Sequence, residues 1–189
     1  MPYIIFPALF INPDYLILSP DSSYFTRSFF LGITLAAYPF GQFIGSPILG
    51  TLSDDFGRKK VMSISLIIAA ISTLISGFAV GMHFVSLLII SRFITGVMEG
   101  NIAVARAMAT ELKSISKHVA LGRVNGAISI AFLVGPFLGG FLSDRSIYPF
   151  FTPVTPFIIV SILFFTLAGL SQIVLKLSLI HISEPTRPY

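Results

Sequence analysis

Long apolar runs separated by short polar stretches divide this chain. Five such runs occupy residues 29–49, 61–80, 84–109, 124–142 and 150–175. Each is close to the ~20 residues that a helix needs to cross a ~30 Å hydrocarbon layer, given a rise of ~1.5 Å per residue. The pattern therefore predicts an all-α fold, a polytopic bundle of transmembrane helices.

The two ends of the chain depart from this pattern. Residues 1–11 (MPYIIFPALFI) are apolar but only about half as long as a span, which predicts the exit end of a first helix whose beginning is missing. Residues 12–28 have the composition of a turn-rich external loop. Residues 1–176 are thus predicted to form one transmembrane unit of six helices. Residues 177–189 (LSLIHISEPTRPY) resemble neither a span nor a surface helix, and we interpret them as a non-native tail from a cloning linker, which predicts that the chain is a fragment.

Composition supports a membrane protein. Hydrophobic residues make up 54% of the chain and charged residues only 11%, with a mean hydropathy of +0.91, values that a water-soluble domain with one buried core does not show. The net charge of +4 does not indicate nucleic-acid binding, because the basic residues lie in short loops beside the spans. The absence of cysteine excludes disulfide bonds.

The basic residues also predict an orientation. Lys and Arg are enriched in the cytoplasmic loops of membrane proteins, whereas acidic residues contribute little to this bias. The stretches 50–60 and 111–123 together hold six Lys and Arg residues, namely Arg58, Lys59, Lys60, Lys113, Lys117 and Arg123. The alternate loops hold only two, Arg27 and Arg145. We therefore expect the protein to be a multi-pass protein of a plasma or bacterial inner membrane, with loops 50–60 and 111–123 in the cytoplasm.

The fourth span carries three charges inside its apolar run. Arg92, Glu99 and Arg106 are seven residues apart, so they drift by only ~20° per step and share one helix face at a separation of ~10 Å. Charges at membrane depth cost at least ~2.5–3.5 kcal/mol each, and they normally face a cavity or a partner. We hypothesise that a water-filled cavity serves all three, that Glu99 is a proton or cation-substrate site, and that Arg92 tunes Glu99 or supports a relay.

Softer candidates for cavity contacts are Tyr38, Gln42 and Asn101. The alternative for all of these polar residues is structural: Arg92 and Glu99 would form a buried pair that fixes helix packing, and the uncharged side chains would form hydrogen bonds between helices. Metal binding is not expected, because His83, His118 and His181 lie in separate loops or the tail. The chain also lacks a phosphate-binding loop, and we expect neither a cofactor nor an enzymatic activity.

Three motifs resemble a known family. The stretch Gly50-x-x-x-Asp54-x-x-Gly57-Arg58-Lys59, between the second and third spans, is similar to the loop signature of the major facilitator superfamily of secondary transporters. In the fourth span, Arg92-x-x-x-Gly96 resembles that family's helix-four pattern. In the fifth, Gly135-Pro136-x-x-Gly139-Gly140 resembles the pattern of its antiporters, although Ala131 replaces an earlier glycine of the fuller pattern; a simple packing kink is the alternative.

The resemblance covers about residues 1–175 and implies the first half of a twelve-helix transporter, similar to drug and tetracycline efflux proteins. It implies that Gly50–Lys59 forms a cytoplasmic gate against the other half, which this chain does not contain. The implied partners are the lipid bilayer, a small-molecule substrate and protons, and the implied function is proton-coupled export. Two alternatives stay open, namely a symporter or uniporter for a sugar or metabolite, and a non-transporting membrane scaffold or sensor.

Overall fold

All regular secondary structure in the described part of the chain is α-helical. This computed structural model describes residues 2–11, 16–19, 21–111 and 115–174, and the predicted tail lies outside these ranges. The helices are α1 (Pro2–Ile11), α2 (Tyr24–Phe56), α3 (Arg58–Gly81), α4 (Val85–Glu99), α5 (Ile102–Thr110), α6 (Lys117–Phe141) and α7 (Thr155–Val174). Within these described ranges, and with α4 and α5 taken as one span, five helical segments are long and apolar enough to cross a membrane. The predicted all-α transmembrane bundle is confirmed.

The second helix is longer at both ends than its apolar run. It begins at Tyr24 because Ser23 caps it, the Ser23 hydroxyl accepting a hydrogen bond of 3.2 Å from the backbone N–H of Thr26. At its other end α2 continues through Asp54 and stops at Phe56. Polar residues can remain helical once the helix has left the hydrocarbon layer, so the apolar run underestimates the helix.

The stretch 50–60 was expected to be a loop at the membrane surface, and that expectation was wrong, because both sides of it are helical. One residue, Gly57, separates α2 from α3. Its φ of +90° is a conformation that glycine adopts readily and other residues rarely do. The chain therefore turns sharply at Gly57, and the charged residues around it lie on helix ends.

Two other boundaries differ from the expected ones. The fourth span, predicted as continuous, is interrupted at Gly100 and Asn101, where backbone hydrogen bonds from Gly100 to Val97 and from Asn101 to Met98 tighten the last turn of α4. The predicted loop 111–123 is shorter than expected, because α6 already begins at Lys117. The start of the last span is consistent with its prolines. Pro156 lies in the first turn of α7, where a missing backbone N–H costs nothing.

Helices α2 and α4 pack with their backbones in contact. Glycines make this possible: a Cβ on Gly45 would lie 2.7 Å from Cα and C of Val97, and a Cβ on Gly100 would lie 2.5 Å from C of Gly45. Gly41 and Gly96 make equivalent approaches one turn away along the same interface. Small residues allow close helix packing in membranes, where the hydrophobic effect does not drive helices together. These glycines fix the register of α2 against α4.

Small polar side chains join α3 to its two neighbours. Toward α4, the Ser72 hydroxyl donates to the carbonyl of Ser91 at 2.7 Å, and the Ser76 and Ser91 hydroxyls lie 2.8 Å apart. Toward α7, the Ser161 hydroxyl donates to the carbonyl of Ala70 at 2.8 Å. Hydrogen bonds of this kind average roughly 0.6 kcal/mol in membrane proteins. They join α3, α4 and α7 in addition to the apolar packing of Val80, Leu88 and Phe157.

Much of the remaining helix surface is apolar and exposed. On α6 the exposed side chains include Ile130, Phe132, Leu133 and Phe137. Contiguous apolar surface of this extent is unusual in soluble proteins and suits contact with lipid or with another membrane helix. The chain is thus a multi-pass membrane protein, as predicted.

Candidate functional site

A cavity of about 880 Å³ opens between the helices. Its walls come from α1, α2, α4, α5, α6 and α7, with one contribution from α3, and most of its lining is apolar. The volume lies in the range of small-molecule sites, which are roughly 300–1,000 Å³. The polar and charged lining residues are Thr34, Tyr38, Gln42, Ser46, Thr73, Arg92, Glu99 and Arg106.

The three charges of the fourth span line this one cavity. Arg92 and Glu99 reach it from α4 and Arg106 from α5, although the interruption at Gly100 separates the two helices. Their seven-residue spacing keeps them on a common face, as the sequence predicts. The guanidinium of Arg92 is deeply placed, with 7% of the residue exposed.

Tyr38 of α2 links Arg92 to Glu99. Its hydroxyl donates a hydrogen bond to Oε2 of Glu99, and its ring lies under Arg92, whose Cζ is 4.6 Å from the ring centroid. The ring of Phe6, from α1, lies 5.6 Å from the same Cζ. A guanidinium over aromatic faces gains cation–π stabilisation, which increases when water is excluded. Glu99 and Arg92 thus reach each other through an aromatic residue.

The two amide candidates have different surroundings. Gln42 lines the cavity one turn beyond Tyr38 on α2. Asn101 does not line it: this residue is 6% exposed, and its Nδ2 donates a hydrogen bond of 2.9 Å to Oγ of Ser65 on α3. For Asn101 the structure therefore agrees with the alternative role of an interhelical contact.

The residues of the first motif lie at the end of the bundle where α2 and α3 meet. Arg58 is 3.5 Å from Asp54 and forms a shorter ion pair, 2.6 Å, with Glu111 after α5. The Nζ of Lys59 donates to the carbonyl of Gln172, in the last turn of α7, at 2.5 Å. Both predicted cytoplasmic stretches therefore lie at one end of the molecule. Gly50 faces open space, with no described atom within 4 Å of a Cβ built there.

The motif of the fifth span lies on α6. Gly135 and Pro136 line the cavity, together with Ala131 one turn earlier, while Gly139 is buried beneath them. Despite Pro136 the helix is continuous from Lys117 to Phe141. The proline removes one backbone donor at the cavity wall, which is a site where the helix can bend.

Some lining residues were not predicted. Thr34 and Thr73 face the cavity from α2 and α3, and Phe6 and Phe157 form a stacked pair with ring centroids 6.1 Å apart. The aromatic residues carry no sequence signal that separates cavity from core. Thr34 lies four residues before Tyr38, and this helical spacing on one face could have indicated it.

One titratable group away from the cavity has a shifted pKa. In the turn after α6, hydrogen bonds from the side chain and backbone of Ser146 lower the pKa of the exposed Asp144 carboxyl. Among the residues that the structure describes, no three His, Cys, Asp or Glu side chains form a group that could hold a metal ion.

The helices and the cavity together define a class of protein, a polytopic membrane bundle with a cavity between its helices. Comparison with known families agrees with this class. The chain matches the sequence profile of the Major Facilitator Superfamily over residues 3–186. Because the match covers nearly the whole chain, the protein belongs to the major facilitator superfamily.

Several relatives are resistance proteins. The chain is 42% identical over 126 residues to multidrug resistance protein 2 of Bacillus subtilis, 37% over 139 residues to the class H tetracycline resistance protein of Pasteurella multocida, and 36% over 118 residues to the quinolone resistance protein NorA of Staphylococcus aureus. These matches cover 64%, 71% and 61% of this chain but only 30%, 34% and 30% of the relatives. No solved structure matches this one.

Proposed function

We propose that this chain is the first half of a secondary transporter that exports a small organic, drug-like compound in exchange for protons. Two observations support the proposal. The relatives are named for resistance to multiple drugs, tetracycline and quinolones, and the aligned part of this chain corresponds to about a third of their length. The cavity has the size of a small-molecule site and an apolar lining with a few polar groups.

The position of Glu99 is the observation that supports proton coupling. It lies in a membrane span, lines the cavity and accepts a hydrogen bond from the Tyr38 hydroxyl. A charge at such a depth costs at least ~2.5–3.5 kcal/mol on insertion scales, a cost that a purely structural residue could avoid. A carboxyl group that faces a cavity can take up a proton from one side of the membrane and release it to the other when access changes.

Alternating access would use the end of the bundle that carries Arg58. Its ion pairs with Asp54 and Glu111 join α2, α3 and α5 into one charged surface. In the proposed complete transporter this surface would contact the second half and close the cavity toward the cytoplasm. Rocking of one half against the other around a fixed central site would then move the compound across the membrane.

The substitution Glu99→Gln tests the proposal in a full-length protein that carries this sequence, reconstituted in proteoliposomes. Glutamine keeps the size of the side chain, but it is uncharged and cannot bind a proton. Export should then lose its dependence on the proton gradient, whereas the matched variant Asp144→Asn, in an exposed turn, should keep it. Unchanged coupling in Glu99→Gln would remove Glu99 from the mechanism.

A further inference from the structure

The contact between Tyr38 and Gly96 places one aromatic side chain against both charges of α4. A Cβ on Gly96 would lie 2.9 Å from the backbone C of Tyr38 and 3.1 Å from its Cα, so only glycine lets α2 come this close. Gly96 lies four residues after Arg92 and three before Glu99, which puts all three on neighbouring turns of one face. From this position the Tyr38 ring reaches Arg92 and its hydroxyl reaches Glu99.

These two contacts depend on each other. The hydrogen bond to Glu99 fixes the rotation of the Tyr38 side chain, and that rotation keeps the ring under the Arg92 guanidinium. A hydrogen bond to a charged acceptor is roughly twice as strong as one between neutral groups, so protonation of the carboxylate weakens the bond that holds the ring. The state of Glu99 is thereby transmitted to the surface that Arg92 presents to the cavity.

We propose that Tyr38 is a positioning residue that couples proton binding at Glu99 to the exposure of Arg92 in the cavity. With Glu99 ionised, Tyr38 is held and its ring covers Arg92. When a proton adds to the carboxylate, Tyr38 is released and its ring moves away, so that Arg92 can contact an oxygen-bearing group of the cargo. This inference rests on the proposed function, and it assigns the link between proton and cargo to one side chain.

Other charged groups near this site do not provide the same link. Within the described ranges, the titratable or charged residues that line the cavity are Tyr38, Arg92, Glu99 and Arg106, while the walls from α1, α6 and α7 are uncharged. Arg106 faces the same space from α5, seven residues beyond Glu99 and past the interruption at Gly100. Arginine stays protonated at every working pH, so Glu99 is the group that responds.

The test follows the ring of Tyr38 directly. The purified chain in lipid nanodiscs, with tyrosine labelled at Cζ, is titrated by NMR, and Tyr38→Phe assigns the signal. In wild type the Tyr38 signal should change in one step with pH. In Glu99→Gln it should stay at the position that wild type shows at low pH, while the signal of the exposed Tyr148 should be the same in both proteins. A Tyr38 signal that is constant in wild type, or that titrates equally in Glu99→Gln, would overturn the proposal.

Transport by the full-length protein gives an independent result. The change Tyr38→Phe keeps the ring but removes the hydroxyl, so gradient-driven export should fall about tenfold, the effect of losing one hydrogen bond to a charged group. The control Tyr148→Phe should export as wild type does. If Tyr38→Phe exported normally with an unchanged pH profile, Tyr38 would have only a packing role. If wild type failed to export while its Tyr38 signal responded to Glu99, the proposed function would fail but the response of Tyr38 to Glu99 would stand.

Discussion

The substitution Gly45→Ala tests the packing of α2 against α4, which positions the whole site. The added Cβ would lie 2.7 Å from two backbone atoms of Val97, whereas carbon atoms prefer a separation of ~3.5–4.0 Å. Backbone atoms cannot rotate away as a side chain can, so the helices must separate by roughly 1 Å at this point. Separation here would also pull Tyr38 away from Glu99, two turns along the same interface.

The magnitude follows from two opposing effects. Overpacking costs about 1–3 kcal/mol and more where backbone must shift, while alanine gains back up to about 1 kcal/mol over glycine in a helix. We therefore expect Gly45→Ala to lower the free energy of unfolding by about 1–2 kcal/mol. Gly32→Ala is the matched control on the same helix, because no described atom lies within 4 Å of its Cβ, and it should be neutral or slightly stabilising.

The assay is reversible unfolding in mixed micelles, followed by the loss of helical circular dichroism. The prediction concerns the difference between the two variants, which removes effects common to any glycine replacement on α2. If Gly45→Ala were as stable as Gly32→Ala, the close backbone contact between α2 and α4 would not exist as described.

Three further predictions concern the surroundings of the site. Asn101→Ala removes the hydrogen bond to Ser65 and should cost about 0.5–2 kcal/mol in the same unfolding assay; adding Ser65→Ala should cost little more, and full additivity would contradict the pairing. Arg58→Gln should cost less than about 1 kcal/mol, since the pair with Glu111 is partly exposed, and the loss should vanish at high salt; a salt-independent loss would contradict an ion pair. By NMR titration, the Asp144 carboxyl should have a pKa below the ordinary aspartate value. The stability gained from its hydrogen bonds with Ser146 is fully present above the ordinary pKa and is lost as the pH falls through the lowered pKa. An ordinary pKa would contradict these hydrogen bonds.

The spans could be predicted because burial in lipid requires long apolar helices whatever their partners. Helix ends could not be predicted equally well. The apolar run of α2 ends near Leu49, but backbone hydrogen bonding continues to Phe56, where a glycine with positive φ stops it. In α4 the run continues past Gly100, whereas the helix does not; Gly100 lies against the backbone of Gly45, a contact between two helices that the apolar pattern of one span does not reveal.

The site was predictable to the extent that one helix determines it. The spacing of Arg92, Glu99 and Arg106 requires a common face, and the cavity lies on that face. The pairing of Glu99 with Tyr38 was not predictable, because it depends on the register between α2 and α4. For the same reason the sequence could not show that Asn101 forms a hydrogen bond with Ser65 instead of lining the cavity.

Export by the reconstituted full-length protein tests the central claim most directly. Proteoliposomes would be incubated in parallel with tetracycline, a quinolone and other small organic compounds. Each compound would be tested with and without an imposed proton gradient. We expect at least one compound to move only when protons can move in the opposite direction, so that uptake of this compound into the lumen makes the lumen more alkaline. Movement of every transported compound at the same rate without a gradient would contradict proton-coupled export by this protein.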